Sequence, residues 1–236
     1  MRTKSFTLIE VIAVISIIAI MASIIVYGIG EWKEDANLKK TIAYANEVKS
    51  KLGASLIAEW KMEDANIDMI YDSGRLGITG TREGTFTRET NCPEGSRCIY
   101  SNYAEIDFSA SPALKFKTIC FWVKSSNASF DIINSDNDFH IYSNSGVIAF
   151  DVYSADEVYT SIPFAGTAVN DNDWHFICGT VDDDSTFYGI VDGEVKATGS
   201  AGVSNFGRKP LSNMVIGGDA NSFYLDDLIV FEDSIF

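Results

Sequence analysis

Two kinds of residue in this chain stand where chemistry is possible. The first is a lone acid. Glu10 sits at the head of an otherwise apolar run, Val11 to Ile29. A charge in hydrocarbon costs roughly 2.5–3.5 kcal/mol even on the lenient insertion scale, so a carboxylate kept there calls for a partner. The second is a set of four cysteines, Cys92, Cys98, Cys120 and Cys178, all in the later part of the chain. An even count behind a membrane-targeting N-terminus reads as two disulfides, with three pairings open. Their spacings match no common zinc finger or ribbon. Nucleophilic catalysis finds little support. His140 and His175 are the only histidines, and His175, behind a tryptophan in an apolar run, reads as a packing residue.

The elements that position these groups differ in character. The chain has 236 residues and a net charge of −15. Residues 1–61 hold 8 Lys/Arg against 6 Asp/Glu, while residues 62–236 hold 10 against 27. The acidic part repels nucleic acid and anionic lipid, so no nucleic acid is expected to bind through it. Its acidity suits an extracellular protein that meets divalent cations, and simple solubility explains it equally well.

Arg2 and Lys4 precede the apolar run, which keeps that end cytoplasmic. The run has 19 residues, about 28 Å as a helix, close to the thickness of a bilayer core. A removable secretory signal fits poorly, because the run is long and no small-x-small cleavage site follows it. From Glu31 to Leu52 the pattern becomes amphipathic. Trp32, Leu38, Ile42, Ala45, Leu52 and Leu56 recur at three- and four-residue steps, with lysines and glutamates between them. No proline interrupts residues 6–52, so one continuous helix of roughly 70 Å is expected, with Gly28 and Gly30 as its flexible point and Gly53 at its end.

Lys4-Ser5-Phe6-Thr7-Leu8-Ile9-Glu10-Val11 closely resembles the processing site of type IV prepilins and pseudopilins. The resemblance covers residues 1–58 and implies cleavage by a membrane prepilin peptidase between Ser5 and Phe6. Phe6 then becomes the N-methylated N-terminus and Glu10 the fifth residue. The family prefers glycine before the cut, where this chain has Ser5. The implied partners are the peptidase, other pilin-like subunits, the assembly platform and the membrane. Glu10 would pair with the new α-amino group of a neighbouring subunit, which relieves two buried charges together and fixes register.

From Leu56 onward, short runs rich in Val, Ile, Phe and Tyr alternate with Gly, Asn, Asp and Ser clusters. About fourteen strands are expected. They include Leu56–Met62, Thr85–Thr87, Arg97–Ser101, Ala104–Phe108, Lys117–Lys124, Trp174–Asp182, Thr186–Val191 and Tyr224–Phe231. Asp192-Gly193 and Asn144-Ser145-Gly146 read as hairpin turns. Asp136-Asn137-Asp138 lacks the glycine and distal glutamate of an EF-hand loop and, like Asp182-Asp183-Asp184, reads as a polar turn. The pattern predicts an all-β two-sheet jelly-roll sandwich behind the long N-terminal helix. The expected domains are a leader at residues 1–5, a transmembrane or filament helix at 6–30, an amphipathic extension at 31–55 and the sandwich at 56–236.

Several stretches resemble the laminin-G-like, concanavalin A-like jelly roll and its pentraxin branch. They are Leu56 to Asp64, Tyr71-Asp72-Ser73-Gly74, Cys120-Phe121-Trp122-Val123-Lys124, Asp173 to Asp182, Tyr188 to Gly193, and Tyr224 to Phe231. The pentraxin resemblance implies a Cys120–Cys178 disulfide, since these cysteines fall on the two strands that family crosslinks, which leaves Cys92 and Cys98 to pair locally. Closing the longer loop would stabilise by roughly 3–4 kcal/mol. Folds of this kind often hold one structural Ca²⁺ where the first loop meets the last strand. The matching residues are Asp72, Asp226 and Glu63 or Asp64, and this ion is the one cofactor the resemblance allows. The ligand-binding calcium cluster of pentraxins needs a longer acidic loop than residues 218–223 supply. Laminarinase-type hydrolases share the sandwich and use a Glu-x-Asp-x-x-Glu strand. Here Glu105-Ile106-Asp107 is followed by Ala110 where the last glutamate belongs, so no enzyme is expected. The expected function is a pilin-like or pseudopilin-like subunit, minor or at the tip, stored in the cytoplasmic membrane and displaying the sandwich outside the cell for adhesion. The other reading is a membrane-anchored module that binds a glycan or protein ligand.

Overall fold

The computed structural model of the chain describes residues 7–64, 69–108, 115–135, 138–153, 159–202, 206, 214–217 and 222–236. It separates into two compact units, residues up to Lys40 and residues Thr41–Phe236.

Helix α1 (Leu8–Leu52) passes Gly28 and Gly30 without a break, and the 3₁₀ turn Gly53–Ser55 follows it. Its start is set by a capping box. The Thr7 N–H and hydroxyl each donate to Glu10 Oε2 at 2.8 Å, and the Glu10 N–H reaches back to Thr7 Oγ1 at 3.4 Å. In the first unit the large apolar side chains from Leu8 to Met21 are exposed. They lie all round the helix, the pattern of a helix made to be covered by lipid or by other helices. Among the described residues no helix is long and apolar enough to cross a membrane. The apolar side chains described, residues 8–23, span about 24 Å.

The second unit is a β-sandwich. Its strands are β1 (Leu56–Trp60), β2 (Met69–Tyr71), β3 (Thr79–Glu89), β4 (Cys98–Asp107), β5 (Thr118–Lys124), β6 (Phe130–Ser135), β7 (Phe139–Asn144), β8 (Val147–Tyr153), β9 (Tyr159–Pro163), β10 (His175–Val181), β11 (Thr186–Val191), β12 (Glu194–Ser200), β13 (Met214–Gly217) and β14 (Phe223–Phe231). They follow one antiparallel path, β12-β11-β10-β5-β14-β4-β13-β6-β7-β8-β9, with β1 on β14 and β2 and β3 beside β4. The path turns from one layer to the other along β4. Residues 99–101 of β4 pair with β14, and residues 105–107 pair with β13.

Between the layers lies an aromatic core. The Phe150 and Phe164 rings stack at 5.4 Å, and Phe187 lies 5.1 Å from Phe150. A side chain on Gly179 or Gly189 would run into Phe150 or Phe164, so these glycines let the rings of one layer reach the backbone of the other. The hairpin at Asp192-Gly193 has both residues at positive φ, 53° and 83°, as a type I′ turn requires.

Two details depart from the sequence reading. Arg97–Ser101 and Ala104–Phe108, expected as two strands, form the single strand β4. Strand β2 and the first half of β3 were not expected, because Thr79 to Gly84 is polar and shows no apolar alternation. Those residues are strand because their backbone is paired, 79–81 with β2 and 81–83 with β4.

A third layer covers the outer face of the sheet that holds β5, β10 and β14. Trp122, Phe176, Cys120 and Cys178 point to that face and are fully buried. The last turns of α1 cover it. Ala45, Val48 and Leu52 are buried, and the Tyr44 ring meets Phe176 edge-on at 6.3 Å. The Lys51 Nζ donates to the Ile235 carbonyl at 2.5 Å. The compact unit therefore begins at Thr41, ahead of the first strand.

Candidate functional site

The four cysteines form two bonds. Cys120 and Cys178 are direct cross-strand partners on β5 and β10, with an S–S distance of 2.09 Å. Cys92 and Cys98 close the loop between β3 and β4 at 2.10 Å. That smaller ring holds Glu94 over the outer face, where Glu94 Oε1 accepts from Trp122 Nε1 at 3.1 Å.

Around Glu94 lies an acidic pocket of about 180 Å³, lined by Lys49, Lys61, Glu63, Glu94, Gly95, Asp226 and Asp227. Local backbone geometry explains why two adjacent acids of β14 both reach it. The β14–β5 register slips between Asp226 and Ile229, so β14 carries an extra residue, and Asp227 adopts φ 49°. Such a bulge re-aims a side chain that would otherwise face the opposite way. Lys49 on α1 donates to both Glu94 and Asp227, and its ammonium lies 3.9 Å from Glu59 Oε1. Lys61 stands 3.3 Å from Glu59 Oε2. Among the described residues the Asp226 carboxyl accepts only from the Glu94 N–H, at 3.3 Å. One oxygen of Asp226 and one of Asp227 are buried without a hydrogen-bond partner. Burial, and then the neighbouring Asp227, push the Asp226 carboxyl up to about 8. Burial also raises Asp227, to about 7, against the pull of Lys49.

The residues expected to hold Ca²⁺ are split by the fold. Glu63 and Asp226 line this pocket, but Glu63 is occupied with the 92–98 loop. It accepts from Ser96 N at 2.5 Å, Arg97 N at 2.9 Å and Ser96 Oγ at 2.8 Å. Burial opposes its charge, and these hydrogen bonds outweigh burial and lower its pKa. Asp72 does not line the pocket. Its Oδ1 accepts from Glu59 N at 2.8 Å and Gly74 N at 2.6 Å, which ties the first loop to β1. The Asp64 carboxylate accepts from Tyr71 N at 3.0 Å. Among the described residues no group of three or more His, Cys, Asp or Glu side chains is arranged to hold a metal ion.

A second surface is aromatic. Tyr100 on β4, Tyr224 on β14 and Lys124 on β5 are cross-strand neighbours. The two tyrosine rings lie 4.7 Å apart, Trp174 meets Tyr224 edge-on at 6.1 Å, and the Lys124 ammonium stands 5.9 Å above the Tyr224 ring. All four side chains are half-buried, and Thr87, paired with Tyr100, is exposed. Flat apolar rings with polar tips beside a cation suit a ligand that is apolar on one face and hydroxylated at its edges. The sequence reading named no exposed aromatic set. The cross-strand register that assembles this one is not visible in a linear chain.

His175 is not free to act as a base. Its Nδ1 pairs with Asp192 at 2.8 Å and its Nε2 with Asp171 at 3.1 Å. Ser5, Phe6 and the pair Asp136-Asn137 lie outside the described residues, as do the side chains of Trp32, Glu105 and Asp107.

Comparison with known proteins agrees with this architecture. A laminin-G-type family model, described as the concanavalin A-like lectin/glucanases superfamily, matches residues 100–235, more than half of the chain. The chain belongs to the concanavalin A-like lectin/glucanases superfamily. Residues 1–26 match the prokaryotic N-terminal methylation motif, so this superfamily member is fused to a prepilin-type N-terminus. No curated protein matches the chain. Among solved structures, the botulinum neurotoxin serotype D binding domain is similar at a TM-score of 0.61 and 15% identity, over 79% of this chain and 50% of that one. The binding domain of Paraclostridial Mosquitocidal Protein 1 is similar at a TM-score of 0.60 and 15% identity, over 78% and 50%. The serotype D ligand-binding domain in complex with N-acetylneuraminic acid gives 0.60 and 15%, over 79% and 50%. The chain spans about half the length of these structures, and at this identity the likeness concerns the fold.

Proposed function

We propose that the chain is a subunit of a type IV pilin-like or pseudopilin-like filament, minor or at the tip, which carries its concanavalin A-like sandwich outside the cell for adhesion or partner binding. A prepilin peptidase cuts between Ser5 and Phe6, and the apolar run Val11–Ile29 stores the subunit in the cytoplasmic membrane before assembly. The observation that carries this reading is the methylation motif over residues 1–26, placed at the start of a helix that continues to Leu52. A head of nearly 200 residues is bulky for a subunit that must pack at every position of a filament, which favours a minor or tip place. No enzymatic role is proposed.

Glu10 has two possible duties, and two substitutions separate them. Gln can replace Glu in a capping box but cannot neutralise an amine. Glu10→Gln and Glu10→Ala are both expected to leave the protein in the membrane and to cut its recovery in the sheared filament fraction by tenfold or more. Normal incorporation of Glu10→Gln would reduce Glu10 to a helix cap.

The aromatic set on β4 and β14 favours a second reading, in which the head is a lectin-like module and the N-terminal segment chiefly an anchor. Of the similar structures, one holds N-acetylneuraminic acid. On this reading residues 41–236 bind a defined glycan class on an array, and Tyr224→Ala lowers that signal at least tenfold. An empty array with correctly folded protein would leave a protein partner as the head's ligand.

A further inference from the structure

The acidic pocket lies where the sequence resemblance places a structural calcium ion, and the side chains there do not fit one. Calcium takes six to eight oxygens at about 2.3–2.6 Å. Asp72 is engaged in the first loop and Glu63 in the 92–98 loop, through the hydrogen bonds given above. The acids that do converge, Glu94 and Asp227 with Glu59 behind them, meet on the ammonium of Lys49. A divalent ion among them would sit against a fixed positive charge.

Lys49 is not a passing surface residue. It stands on α1 between Val48 and Leu52, both buried against the sandwich, so packing fixes where its side chain leaves the helix. Nor is the pocket a mere cluster of surface acids. Asp226 is 0% exposed and Asp227 2% exposed, and each keeps a buried oxygen with no partner. Buried polar atoms are ordinarily satisfied.

We infer that the Lys49 ammonium takes the place of a divalent cation in this pocket, so that the sandwich carries its own counter-ion on the helix and holds its first strand, its 92–98 loop and its last strand together without calcium. One group thereby does two jobs. It pairs with Glu94 and Asp227, and it locks the end of α1 onto the outer face of the sheet. Removing the ammonium while keeping the stem should let calcium take its place, because Glu94, Asp226 and Asp227 would then face an empty cavity. This inference is independent of the filament reading.

Thermal unfolding of the full chain in detergent tests it, with wild type, Lys49→Met and Lys49→Arg each measured in EGTA and in millimolar calcium. Wild type and Lys49→Arg are expected to unfold at the same temperature in both. Lys49→Met is expected to unfold about 5–10 °C lower in EGTA, because breaking a buried ion pair leaves the other charge uncompensated, and to recover most of that loss in calcium. A wild type that loses stability in EGTA, or that binds calcium stoichiometrically by titration calorimetry, would overturn the inference. So would a Lys49→Met protein as stable as wild type in EGTA, or one that stays destabilised or unfolded when calcium is supplied.

Discussion

At the scale of single residues, three titratable groups in the head make its stability depend on pH. Burial of the His175 ring opposes its charge, but Asp192 and Asp171 outweigh burial and raise its pKa to about 9, against about 6.5 for a free histidine. A raised histidine stabilises fully below the unfolded value and loses that contribution as pH climbs through the folded one. The same sign holds for Asp226 and Asp227. Each is raised far above the ordinary carboxylate value, so each binds its proton more tightly in the fold and weakens the fold when it ionises. Urea unfolding should therefore show stability falling from about pH 4 to 9, the two carboxyls acting up to about pH 7–8 and His175 from about 6.5 to 9. His175→Gln should flatten the upper part of that fall by about 1–3 kcal/mol at pH 7 relative to pH 9. A wild-type profile that rises over this range would contradict the assignment of charge. His175 is thus a strap for the Asp192 turn, more than the packing residue that its sequence neighbours suggested.

At the scale of elements, the end of α1 belongs with the sandwich. Ala45, Val48 and Leu52 give a three- and then four-residue apolar spacing that suits a helix bundle as well as a sheet. The sequence alone therefore placed them in a helical extension. What decides the matter is non-local. Trp122 and Phe176 point away from the inter-layer core and need a cover of their own. Leu52→Ala should cost about 2–4 kcal/mol and lower the unfolding temperature of the head by several degrees. A change below half a kcal/mol would show that the helix end does not seal this face. Other parts were legible from the start. Alternation and turn residues located most strands, and the Asp192-Gly193 hairpin was marked by its dipeptide. The β14 bulge was not legible, because nothing local distinguishes Asp226-Asp227 on a regular strand from the same pair turned to one side. The pairing of Cys120 with Cys178 came from a family resemblance, since spacing alone left three choices.

At the scale of the whole molecule, the chain joins two parts with different solvents. The first shows apolar side chains all round a helix and asks for lipid or for other helices. The second is a closed, strongly acidic sandwich with two disulfides, built for an oxidising compartment. The methylation motif supplies the link: on the proposed reading, processing converts a stored membrane protein into a subunit whose new amine would meet Glu10. The lysine-filled pocket would suit such a life, since a head that needed no calcium would hold its helix in whatever medium a filament reached. Most of this account follows from one covalent event. Mass measurement of the mature chain recovered from sheared filaments tests it directly. The account predicts a chain that begins at N-methylated Phe6 and lacks residues 1–5. A chain that still begins at Met1, or that is missing from the filament fraction while abundant in the membrane, would contradict it.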